Sequence, residues 1–188
     1  IQKEVQAVQK QISRMTFVDD LTGLYNRRHF DDALKRELAR CHRSGTDMVL
    51  CMCDLDRFKS INDRYGHIAG DRVLSDFGKL VRDLVRQSDI PCRYGGEEFV
   101  IIFPETDMAS ARHVAERLRK AVSEHRFASG DTVIEATVSI GLAGLKATET
   151  ISPQALAVRA DEALYAAKKE GRNRVATFPL STEPAPAP

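Results

Sequence analysis

The sequence predicts a mixed α/β domain with helices packed over one sheet. Three observations carry this. Residues 48–53 form an unbroken apolar run of strand length, the pattern of a strand buried on both faces. Val73, Leu74, Phe77, Leu80, Val81, Leu84 and Val85 recur at helical spacing and make one strong apolar face. Ile134, Ala136, Val138, Ile140 and Leu142 alternate with other residues, as a half-buried strand does.

The elements follow in chain order. Ile1, Val5, Val8, Ile12 and Met15 are spaced 4, 3, 4 and 3 residues apart, a two-heptad seam. Residues 1–18 therefore read as the end of a longer helix that pairs two chains; the other reading is an amphipathic helix lying on its own domain. Phe30, Leu34, Leu38 and Cys41 form a second helical stripe, followed by the 48–53 strand and the Val73 helix. Residues 89–103 read as a hairpin turning at Gly95-Gly96. Met108, Ala111, Ala115, Leu118 and Val122 predict the next helix, and the 134–142 strand follows. Residues 155–169 predict a last helix stopped by Gly171, and residues 175–178 an edge strand. The hairpin points to a mainly antiparallel, ferredoxin-like sheet. Residues 19–179 form the domain, and the Pro- and Ala-rich residues 180–188 read as a disordered tail.

Composition narrows the class of function. The 188 residues suffice for one self-sufficient core. Lys and Arg total 28 against 27 Asp and Glu, a net charge of +1 that argues against a nucleic-acid polymer held by bulk charge. No apolar run approaches membrane-spanning length and no signal-peptide pattern is visible. Cys41, Cys51, Cys53 and Cys92 form no CxxC pair and read as free thiols of a reducing cytoplasm.

Three clusters carry chemistry. Asp54-Leu55-Asp56-Arg57-Phe58-Lys59 follows the buried strand, so Asp54 falls at the sheet rim, where a carboxylate suits a divalent cation; Lys59 is placed to neutralise a phosphate. Read alone, the same segment is a solvated strand-to-helix turn. Arg93-Tyr94-Gly95-Gly96-Glu97-Glu98-Phe99 brings two carboxylates to the tip of the hairpin. Together with Asp54 these suit two metal ions clamping a phosphoryl centre. Asn62, with Asp71 beyond Gly66-His67 and Gly70, offers the donors and acceptors a guanine edge requires; Asp71 also reads as a helix N-cap.

These blocks, with Asp20-Leu21-Thr22-Gly23-Leu24-Tyr25-Asn26-Arg27-Arg28 before them and Ala163-Leu164-Tyr165-Ala166-Ala167-Lys168 and Gly171-Arg172-Asn173 after, resemble the GGDEF family of diguanylate cyclases in its GGEEF variant. The similarity runs in order from about residue 19 to residue 178. It implies the palm fold of nucleotide polymerases and nucleotidyl cyclases, with a central, mainly antiparallel five-stranded sheet flanked by helices. It also implies condensation of two GTP into cyclic di-GMP with release of two pyrophosphates, the 3′-hydroxyl of one GTP attacking the α-phosphate of the other across two facing domains.

Residue by residue, the resemblance implies two Mg²⁺ or Mn²⁺ ions per half-site on Asp54, the Leu55 carbonyl, Glu97 and Glu98. Glu97 is the implied general base and Lys59 a catalytic cation. Asn62 and Asp71 would hold guanine, Phe58 and Lys59 would line the phosphates, and Lys168 and Arg172 would contact the terminal phosphates. Arg86-Gln87-Ser88-Asp89, with five residues between Asp89 and Gly95, matches the family's RxxD product-inhibition site, with Arg117 as a further contact. Its plainer reading is a polar helix end followed by a turn. The implied partners are GTP, cyclic di-GMP, a second copy paired through the domain and the leading helix, and an upstream sensory domain. The alternatives are a catalytically silent receptor for GTP or cyclic di-GMP, a transferase acting on another nucleotide, and a scaffold built on the leading helix.

Overall fold

The computed structural model describes residues 17–179. The expected leading helix lies outside them except for Phe17 and Val18, and so does the expected tail. The described elements are β1 (Tyr25–Asn26), α1 (Arg27–Ser44), β2 (Met48–Leu55), α2 (Phe58–Tyr65), α3 (His67–Leu84), β3 (Ile90–Gly95), β4 (Glu98–Phe103), α4 (Met108–Glu124), β5 (Phe127–Ser129), β6 (Thr132–Ile134), β7 (Val138–Leu145), α5 (Pro153–Lys169) and β8 (Val175–Phe178).

The main sheet has the order β1-β3-β4-β2-β7-β8. Its centre is antiparallel, β2 pairing with both β4 and β7, while β1 and β8 join its edges in parallel. It therefore has six strands where five were expected. The added strand is the two-residue β1, too short to show any periodicity. A second correction concerns the 134–142 strand. Alternation runs through it, but the chain leaves strand geometry after Ile134 and re-enters at Val138; β6 instead turns back on β5 as a separate two-stranded ribbon.

β2 shows why the sheet sits where it does. Every residue in it is buried, and its pleat sorts them in two. Val49, Cys51, Cys53 and Leu55 pack with Val73 and Phe77 of α3 and Leu118 of α4. Met48, Leu50 and Met52 pack with Leu34 and Leu38 of α1 and Leu156 and Leu164 of α5. The sheet is a filling between two helical layers, and all four cysteines are buried free thiols.

Glycine fixes one critical approach. A side chain on Gly141 would meet the backbone of Ala160 and Leu164, so α5 lies directly on β7 there. Four residues on, one helical turn, stands Lys168. Two residues back along β7 stands Ser139, the register partner of Asp54. A turn of helix and two strand residues both advance about 6 Å. The contact at Gly141 thus delivers the last turn of α5 over the end of β2.

Candidate active site

Asp54 is the penultimate residue of β2 and is 8% exposed. Its even position puts it on the α5 side, opposite Glu98 on β4 and Ser139 on β7. Lys168 Nζ lies 2.9 Å from its Oδ2. Burial pushes the Asp54 carboxyl up, the Lys168 hydrogen bond and charge pull it back, and the negative charges of Glu97 and Glu98 add to the push. The rim is thus a place where negative charge is concentrated and partly neutralised by one ammonium.

Glu97 and Glu98 are half-buried at the hairpin end. Gly96 carries φ 49°, which a β-branched residue would not tolerate, and the register shifts between Arg93 and Gly95 so that Gly95 faces Glu98. The hairpin tip is tied down twice. Leu55 N–H donates to the Glu97 carbonyl at 3.2 Å. Arg93 donates from Nε to the Gly96 carbonyl at 3.0 Å and reaches the Asp19 carboxylate at 3.3 Å. Asp19 also accepts from the Thr22 amide and hydroxyl, so the Asp20-Leu21-Thr22 segment is fastened to the hairpin.

The structure thus brings Asp54, Glu97, Glu98 and Lys168 to one rim. Among the described residues no three acidic, His or Cys groups converge as a ready metal cage. The donor set still fits Mg²⁺ or Mn²⁺. The donors are hard carboxylate oxygens, and such ions bind through one or two carboxylates with phosphate oxygens completing the shell.

The third cluster of the sequence is built by α2 and α3. Phe58 and Ile61 anchor α2 in the core, and Lys59 is exposed at its start. Asn62 Oδ1 is buried without a hydrogen-bond partner, packed against Gly70, where any side chain would collide with it. A buried acceptor with no partner in the protein is uncommon, and it singles out Asn62 among the described residues. Asp71 is exposed on α3, one turn beyond the helix start. It is not the N-cap, which is Gly66.

Arg172 is exposed on the turn after α5, at φ 65°. Sequence reasoning missed what holds that turn. Asp56 is buried and accepts from the Thr137 and Ser139 hydroxyls at 2.7 Å each and from the Asn173 amide at 3.0 Å. The signal was a second carboxylate two residues after Asp54.

Arg86 and Asp89 lie away from this rim, between α3 and β3. Asp89 is buried, accepts from Arg86 N–H at 2.7 Å and donates its own amide to the Arg86 carbonyl at 3.1 Å. The helix-end reading of this tetrapeptide is therefore correct as local structure. The Arg86 side chain is exposed, as is Arg117 on α4.

The sequence profile described as "Diguanylate cyclase, GGDEF domain" matches residues 16–174. The chain belongs to the GGDEF family. The response regulator PleD of Caulobacter vibrioides is 44% identical over 163 residues, 86% of this chain and 36% of PleD. The diguanylate cyclase DgcP of Pseudomonas aeruginosa is 42% identical over 84% of this chain and 23% of its own length. The chain thus spans about a third or less of these two relatives. Among solved structures, the coiled coil and GGDEF domain of DgcB from Caulobacter crescentus, in complex with c-di-GMP, superposes with a TM-score of 0.82 at 35% identity, covering 93% of this chain and 92% of that one. The active GGEEF domain of a diguanylate cyclase from Vibrio cholerae superposes at 0.77 with 33% identity, over 83% and 98%. It shares the Glu at the third signature position. No helix of the described GGDEF residues is long and apolar enough to cross a membrane.

Proposed function

We propose that this GGDEF domain is a diguanylate cyclase, joining two GTP into cyclic di-GMP with release of two pyrophosphates. The observation that carries the reading is the register of Asp54 against Glu98, with Glu97 held beside it by its carbonyl bond to Leu55, in a chain of this family. Asn62, with its unsatisfied oxygen, and Asp71 hold the guanine edge. Phe58 and Lys59 at the start of α2, with Lys168 and Arg172, hold the phosphates. Glu97 accepts the proton of the attacking 3′-hydroxyl, whose oxygen bonds to the α-phosphorus of the second GTP as pyrophosphate leaves. Mg²⁺ or Mn²⁺ held by Asp54, Glu97, Glu98 and the Leu55 carbonyl supplies charge neutralisation at the phosphates when bound.

Because each domain holds one GTP, two copies must meet face to face, and any contact that holds two copies together raises the effective concentration of their half-sites. Cyclic di-GMP binding at Arg86 and Asp89, with Arg117 as a further contact, would limit the output: Arg forks onto phosphate or guanine, and Asp takes guanine N–H groups.

The test is incubation with GTP and Mg²⁺ and identification of the product by mass. Cyclic di-GMP from the wild type and a loss of about 10³-fold or more in Glu97→Gln are expected, the scale of losing a central catalytic group. Wild-type rates in Glu97→Gln would overturn the mechanism. GTP binding with no turnover would leave the receptor reading.

A further inference from the structure

A second face of α2 carries a cleft that shares only Arg172 with the catalytic reading. Arg57, Ser60, Ile61 and Arg64 recur at helical spacing and line one wall. Asn62, assigned above to the guanine, and Phe58 and Lys59, assigned to the phosphates, are not in that wall. Arg126, after α4, and Arg172, on the turn after α5, complete a cavity of about 870 Å³. None of Asp54, Glu97, Glu98, Asp71 or Lys168 lines it.

Its walls carry four guanidinium groups against two carboxylates, Asp56 and Glu135. Asp56 is already occupied by three donors. None of the four arginines makes an ion pair among the described residues; Arg64 lies over the Tyr65 ring at 5.1 Å. The backbone adds an independent mark. Arg57, Arg172 and Asn173 hold φ values of 53°, 65° and 45°, and all three line this cleft. The other left-handed non-glycine among the described residues is Glu105, elsewhere. Strained backbone of this kind gathers at ligand sites, where the surroundings enforce it.

We propose that this cleft is a polyphosphate-anion site, separate from the carboxylate rim and meeting it at Arg172, whose ligand is inorganic pyrophosphate. Arg57, the N-cap of α2, and Arg64, seven positions on, lie about 10 Å apart along the helix axis, a spacing that leaves room between them for a diphosphate as well as for a single phosphate. Arginine forks match phosphate oxygens in pairs. The anion site stands on the cleft alone, while the choice of pyrophosphate rests on the reaction proposed above, which releases it. A nucleotide's phosphate chain offers the same chemistry.

Calorimetry decides this with pyrophosphate as the titrant, at fixed ionic strength and without GTP or divalent metal. The wild type should bind, and the Arg64→Ala/Arg126→Ala protein should bind about tenfold more weakly, the loss of one to two charge-assisted bonds. Arg43→Ala/Arg112→Ala removes the same charge elsewhere on the surface and should match the wild type. A parallel GDP titration separates the sources. GDP affinity untouched by the Arg64/Arg126 change assigns the site to free pyrophosphate, and an equal loss assigns it to the nucleotide chain. No pyrophosphate binding by the wild type, equal binding by the cleft variant, or an equal drop in the surface control would overturn the site. The measurement needs no turnover, so a protein that binds pyrophosphate this way yet makes no cyclic di-GMP would keep the site and lose the proposed activity.

Discussion

Lys168 Nζ stands 2.9 Å from Asp54 Oδ2, so an ammonium from the last turn of α5 occupies one oxygen of the carboxylate that ends β2. A divalent ion arriving at Asp54 has to displace that ammonium or share the carboxylate with it. Lys168→Met should therefore bind Mn²⁺ more tightly in the absence of nucleotide, by about tenfold, since removing a positive charge within a few ångströms is worth on the order of 1 kcal/mol at a partly exposed site. GTP turnover should fall about 10²-fold, because the proposed function also places this ammonium on the phosphates. Unchanged or weaker Mn²⁺ affinity, read by calorimetry, would show that Lys168 does not hold the place of the metal.

Gly70 and Asn62 form a second pair that must be read together. A Cβ at Gly70 would collide with Asn62 Oδ1 and press on Phe58 at 3.1 Å. Gly70→Ala should displace the Asn62 amide, at an overpacking cost of about 1–3 kcal/mol, offset in part by about 1 kcal/mol of helix propensity. The expected kinetic sign is a higher KM for GTP with a smaller change in kcat. In an Asn62→Ala background the same change should cost much less, since the colliding amide is gone and only the tight approach to Phe58 remains. Additive losses in the double variant would place the Gly70 effect elsewhere.

Much of this site was legible because strand ends and turns constrain side chains locally. The apolar run before Asp54 announced a buried strand, so its polar end had to lie at a rim. Gly95-Gly96 announced a hairpin, so Glu97 and Glu98 had to lie at its tip. What escaped was decided by contacts distant in sequence. β1 exists because Tyr25 and Asn26 lie beside Cys92 and Arg93, and two residues carry no period. The break between Ile134 and Val138 is invisible to alternation, which continues through it. The Asp56 clamp joins residues 81 to 117 positions apart, and a carboxylate beside a metal candidate looks like a second ligand until its oxygens are found occupied.

Arg93 bridges Asp19 to the hairpin tip, with 18% and 22% of the two side chains exposed. Arg93→Ala should cost about 1–3 kcal/mol of stability, the range for partly buried charge-assisted bonds. It should also lower kcat more than it raises KM, because the freed tip carries Glu97 and not the nucleoside pocket. Lysine has no fork to reach both partners, so Arg93→Lys should not restore kcat. Full rescue by lysine, in a GTP turnover assay, would mean that only the charge matters.

Asp89 supplies a pH dependence whose sign can be worked out. Burial raises its carboxyl above the ordinary 3.8, and the Arg86 amide and charge only partly restrain it. The folded protein therefore holds this proton more readily than the unfolded chain. The stability contributed is fully present below 3.8 and is lost as pH rises through the raised folded value. Asn keeps an oxygen for the Arg86 N–H without the charge, so Asp89→Asn should match the wild type in acid and exceed its stability at pH 7. Asp89→Ala leaves the part-buried Arg86 N–H without its acceptor and should lose about 1 kcal/mol or more at any pH. Both variants should lose cyclic di-GMP binding, but only the alanine change confounds that loss with a loosened turn. Urea denaturation between pH 4 and pH 7.5 separates the cases. If the asparagine variant is as unstable at pH 7 as the alanine one, the turn is held by the carboxylate's charge, and the acceptor argument for Asp89 fails.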